Sequence, residues 1–171
     1  MGTSSGRRPE QDEAFTAAMT LHGDRLARLA WYLCGDRARA EDLVAEAFAR
    51  TWPKWRAGAV EDLLPYLRRT LTNLAAKEHR HGGVVRRFAS RADRPATAAP
   101  ADEGVGSQLE ILGALAGLHA DQRAVLVLRY YEDLSEAEIA TLLHLPPGTV
   151  KSRAARGLAT LRARLEGADH D

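Results

Sequence analysis

A single cysteine, Cys34, stands in 171 residues. It excludes an internal disulfide and cannot supply a cysteine metal cluster, and it reads as a small buried residue. Lysine is nearly as scarce: of 24 basic residues only Lys54, Lys77 and Lys151 are lysine, a bias toward arginine that suits phosphate contact. No apolar run reaches membrane-spanning length, and Met1 to Pro9 lacks the apolar core of a signal peptide, so a cytoplasmic chain without membrane insertion is expected. Catalytic signatures are also missing. His79 and His81 form the one close histidine pair and lack metal-ligand spacing at i,i+4. There is no glycine-rich phosphate loop, nucleophile motif or ligand cluster. The expectation is a non-enzyme with no metal and no cofactor. No segment alternates apolar and polar residues convincingly enough to require a sheet, and no repeat of 20 to 50 residues is visible.

The 45% hydrophobic and 27% charged residues are ordinary for a soluble globular protein. A formal net charge of +1 would argue weakly against nucleic-acid binding if it were evenly spread. It is not. Glu10 to Glu46 holds eight acids against four arginines; Tyr66 to Arg94 holds eight basic residues against two acids; Pro147 to Leu165 holds five basic residues and no acid. An acidic block followed by two separated basic blocks suggests one protein-facing surface and two DNA-facing ones. Solvated helical faces are the plainer reading of the same charges.

Helical periodicity divides the chain into two all-α domains. Residues 1–12 are expected to be a flexible tail. Phe15, Met19, Leu26, Leu29 and Leu33 then mark a first helix, broken by Gly35-Asp36. Ala40, Leu43, Val44, Ala47 and Phe48 mark a second that ends near Trp52-Pro53, followed by a loop to Glu61. A third runs from about Leu64 to Arg80 with Pro65 in its first turn, completing a domain over 13–81. Residues 82–107, rich in Gly, Ala, Pro and Arg, read as a flexible linker. A second domain over 108–165 contains a helix with Leu109, Leu112, Leu115 and Leu118, and another capped by Asp121. Residues 166–171 are left as a C-terminal tail.

Ser135-Glu136-Ala137-Glu138 is a capping box that opens a short helix, ended by His144-Leu145-Pro146-Pro147. The next helix carries Val150, Ala154, Leu158, Leu161 and Leu165 within about 80° of one another, a buried stripe. Thr149, Ser152, Arg153 and Arg156 lie opposite, with Lys151 at the edge. Short hydroxyls and long cations near a helix N-terminus suit base edges and phosphates. Periodicity alone equally allows an amphipathic hairpin with a basic solvated face, but two short helices joined by a tight turn fit a helix-turn-helix better. In the first domain, Arg69, Asn73, Lys77 and Arg80 lie within about 80° of one another, opposite Leu67, Leu71 and Leu74.

The stretch from Asp121 to Ala140, continued by Gly148-Thr149-Val150-Lys151-Ser152-Arg153, resembles region 4 of extracytoplasmic-function sigma factors of the sigma-70 family, actinobacterial forms above all. Ala40 to Trp52 similarly resembles region 2.2. The resemblance covers about 13–81 and 108–165 in the expected order. It implies that the C-terminal domain reads the minus-35 element through Lys151, Ser152, Arg153 and Arg156 and touches the flap of the polymerase beta subunit. It implies that Glu41, Asp42, Leu43, Glu46 and Phe48 belong to a helix that docks on the beta-prime clamp helices. The Arg69, Asn73, Lys77 and Arg80 ridge would hold the non-template strand of the minus-10 element, with Trp55 and Arg56 beside a pocket for one flipped base. Many relatives are also held by an anti-sigma factor. Three residues depart from the family pattern: His144 where glycine is usual, Ala45 where glutamine is common, and Ala155 where some relatives carry a larger base-contacting residue. A helix-turn-helix regulator acting without core polymerase is the alternative, though the basic third helix is unexpected in a ligand-sensing bundle.

Overall fold

The computed structural model describes residues 7–81 and 105–168, all of whose regular structure is helical. The chain divides into two compact units, Met1–Glu78 and His79–Asp171. The linker expectation at 82–107 falls almost wholly outside the described residues, although 105–107 already belong to a helix.

In the first unit, α1 (Arg7–Cys34) packs on α2 (Arg37–Arg56), and α3 (Leu63–His81) completes the set. The first helix starts earlier than expected: 7–12 are helical rather than a tail, with Pro9 in the opening turn where its missing N–H is no loss. Gly35, at φ 77°, reverses the chain after α1, a backbone that a side chain would strain. Asp36 then caps α2, its carboxylate accepting from the Arg39 amide at 2.7 Å. Helix α2 passes through Pro53 instead of stopping there, and ends one turn later at Arg56. The apolar positions Leu26, Leu29, Leu33, Leu43, Ala47, Phe48, Leu67, Leu71 and Leu74 form one core. Arg39 donates to Glu78 at 2.9 Å and Lys54 to the Tyr66 hydroxyl at 2.8 Å, tying α2 to α3 at both ends. Cys34 is half-buried, not buried, and its thiol donates to the Asp36 carbonyl at 3.2 Å.

In the second unit, α4 (Val105–Ala116), α5 (Ala120–Tyr130) and α6 (Glu136–Leu143) each pack against α7 (Pro147–Ala168) or one another. Asp121 does not cap α5 as expected; His119 holds that position without a side-chain bond. What closes the α4–α5 corner is Arg123, buried at 6% exposure. It donates to the Leu115, Ala116 and Leu118 carbonyls at 2.8, 3.0 and 3.2 Å. Leu115 and Ala116 end α4, where intrahelical donors have run out, and Leu118 lies just beyond it. Gly157 lets α7 pack tightly on α5: a Cβ there would lie 3.0 Å from a Leu126 methyl. No described helix is long and apolar enough to cross a membrane.

Candidate nucleic-acid interface

The turn between α6 and α7 begins with the capping box. The Ser135 amide donates to the Glu138 carboxylate at 2.8 Å, and the Glu138 amide to the Ser135 hydroxyl at 3.2 Å. Arg129 adds a bond from α5 to Glu136 at 2.6 Å, which holds its guanidinium above the ordinary arginine range and firmly charged. Helix α6 ends at His144, in the left-handed region at φ 54° and ψ 47°. The Leu145 amide turns back to the Ala140 carbonyl at 2.9 Å, and the Pro146 carbonyl accepts from Thr149 and Val150 to start α7. Three residues, His144 to Pro146, separate the two helices, one fewer than the sequence suggests, because Pro147 is already helical.

Burial then orients α7. Val150, Ala154 and Gly157 are buried, while Leu158, Leu161 and Leu165 are half-buried along the same stripe. Lys151, Ala155 and Arg156 are exposed. Thr149, Ser152 and Arg153 are half-buried, so the six positions do not form one uniform face. Arg156 lies back along the helix, donating to the Ser152 hydroxyl at 3.2 Å and the Ser152 carbonyl at 3.3 Å. Arg153 points along the α5 flank, where Asp121 pairs with it at 2.9 Å. An approaching phosphate would therefore meet an arginine already oriented by an acid.

The first unit presents the complementary surfaces. On α3, Arg69, Asn73 and Lys77 are exposed opposite the buried Leu67, Leu71 and Leu74. The Arg80 side chain lies outside the described residues. Beside the α2–α3 loop, Trp55 is half-buried with its indole N–H donating to the Gln11 carbonyl at 3.0 Å. Arg56 lies over the Trp52 ring at 5.4 Å and pairs with Asp12 at 3.6 Å. On α2, Glu41 and Asp42 are exposed and Glu46 lies beside them, each next to an arginine of the same helix: Arg37, Arg39 and Arg50. Leu43 at 1% and Phe48 at 5% exposure lie in the core. Those two residues shape the helix and offer no docking surface, a correction to the expected polymerase-binding set. Sequence periodicity also missed Arg123, Asp121 and the α1 residues Gln11 and Asp12, because their partners come from other helices.

A basic ridge in one helical unit and a capped helix-turn-helix in the other match two family models in the same order. Sigma-70 region 2 matches residues 18–85, and Sigma-70 region 4 matches residues 108–161. The ECF RNA polymerase sigma factor SigL of Mycobacterium tuberculosis is 32% identical over 97% of this chain and 97% of its own. The chain belongs to the extracytoplasmic-function sigma factors of the sigma-70 family. Similarity to the RNA polymerase sigma-E factor of Streptomyces coelicolor is 33% identity over 86% of this chain and 84% of that one. For the sigma factor CarQ of Myxococcus xanthus it is 33% over 90% of each. Among solved structures, the sigma factor RpoE of Bartonella quintana, crystallised with the anti-sigma factor NepR, has TM-score 0.69 and 25% identity. It covers 90% of this chain and 98% of that one. As a sigma factor, the protein directs promoter-specific transcription; such proteins are DNA-binding regulators.

Proposed function

We propose that this sigma factor divides its work between the two units. The acidic face of α2, Glu41, Asp42 and Glu46, docks on the beta-prime clamp helices of core RNA polymerase. The α3 ridge of Arg69, Asn73, Lys77 and Arg80 tracks the displaced non-template strand of the minus-10 element, with Trp55 and Arg56 at the site of an unstacked base. Helix α7 enters the major groove of the minus-35 element with Lys151, Ser152 and Arg156 foremost, Thr149 at its N-terminus and Arg153 on the flanking phosphate. The same unit touches the beta flap.

The observation that carries this reading is the pairing of an Arg69-Asn73-Lys77 ridge with a helix-turn-helix in a second unit. A duplex reader alone has no use for the first. Melting without ATP requires that unstacked bases be held, so strand binding offsets the lost stacking. The protein is then no enzyme and acts in the cytoplasm, where its polymerase and promoter are. An anti-sigma factor is a further expected partner, as in the Bartonella quintana complex.

Reconstituted transcription tests this directly. The chain added to core polymerase initiates at a subset of promoters where core alone does not. Specific duplex binding with no core association overturns the proposal in favour of a regulator that acts without polymerase.

A further inference from the structure

The first two turns of α1 lie against the very segment assigned to strand capture. The Gln11 backbone carbonyl accepts a hydrogen bond from the Trp55 indole N–H at 3.0 Å. Phe15 sets its edge on the Trp52 ring with centroids 4.8 Å apart, and Arg56 covers that ring from its own side at 5.4 Å. Asp12 stands opposite Arg56 at 3.6 Å, too far for a hydrogen bond, and its Oδ1 is buried without a hydrogen-bond partner. Both side chains remain nearly half exposed, at 43% and 46%. A carboxylate thus faces the guanidinium that a strand phosphate would approach, in an imperfect pair that a better anion can displace.

We propose that Asp12 sets the stringency of strand capture. Its carboxylate competes with DNA phosphate for Arg56, so single-stranded DNA gains that arginine only when contacts elsewhere, along the α3 ridge, already hold it. The proposal rests on the strand-capture role of Arg56. Exposed pairs of this kind are weak and screened by salt, which keeps the competition reversible. The neighbouring acids Glu10 and Glu13 are exposed, and it is Asp12 that stands against Arg56, so the effect belongs to Asp12 and not to the local charge as a whole.

The test is binding of a fluorescent mixed-sequence single-stranded oligonucleotide to the full chain, followed by anisotropy. Circular dichroism melts check that each variant folds. Asp12→Asn should bind roughly two- to fivefold more tightly at low salt, the range expected for releasing one exposed pair. Arg56→Gln should weaken binding, and the double variant should match Arg56→Gln. An Asp12→Asn affinity no better than wild type, with Arg56→Gln weakened, overturns this inference alone. So does an equal gain from Glu13→Gln, or a gain that persists in the double variant. If Arg56→Gln binds like wild type, the strand role of the loop fails, and the role of Asp12 fails with it.

Discussion

Arg123 carries a positive charge into a nearly closed corner, where its guanidinium donates to three carbonyls at and just beyond the end of α4. In the sequence it is one more arginine among many; in the fold it is buried at the α4–α5 corner. Replacement by methionine keeps the length but removes all three bonds, leaving the Leu115 carbonyl only the Leu118 amide at 3.0 Å, and should lower stability by about 2–4 kcal/mol in denaturant unfolding. DNA contacts on α7 would be affected only through the fold. His144 presents the opposite case: it stands where the family resemblance places glycine, and its backbone is left-handed. A β-carbon is strained in that region, so His144→Gly should raise the thermal midpoint, with a gain of about 0.5–1 kcal/mol. A lower midpoint would mean that the histidine ring contributes more than its backbone costs.

Helix α2 shows how far an element can be read before its neighbours are known. Its N-cap and its buried stripe of Ala40, Leu43, Ala47 and Phe48 follow from local chemistry and from 3.6-residue periodicity. Its end does not. Proline forbids one amide bond but tolerates continuation, and Pro53 is followed by a further helical turn that brings Trp55 and Arg56 to α1. The acids on its open side already sit beside Arg37, Arg39 and Arg50. Glu41→Lys with Asp42→Lys therefore replaces attraction with repulsion both within the helix and toward a basic partner. Core polymerase affinity should fall by roughly tenfold or more in a pull-down titration, with fold stability changed by only about 0.5–1 kcal/mol. Unchanged affinity would remove this face from the polymerase interface. Helix α1 was the least legible: its opening turns lack an apolar stripe, and their contacts are with Trp55 and Arg56, 44 residues away in the first case.

For the whole molecule, a net charge of +1 conceals separated blocks, and DNA responds to the block it meets. Duplex affinity should fall steeply with salt despite the near-neutral total. Lys151→Ala with Arg156→Ala should make the slope of log affinity against log salt shallower by roughly 2, about 0.9 for each phosphate that is no longer neutralised. An unaltered slope would place both side chains away from the backbone. The sequence by itself determined the helical class, the two basic faces and the capping box, and its resemblance to known sigma factors gave the order of the two regions. The first three follow from short-range rules: hydrogen-bond closure at helix ends and periodicity around a helix axis. Tertiary structure alone decided that Arg123 points inward, that Arg153 is held by Asp121, and that Asp12 confronts Arg56. Periodicity gives a side chain's angle about its own helix, but its charge partner and its access to solvent depend on which other helix packs alongside.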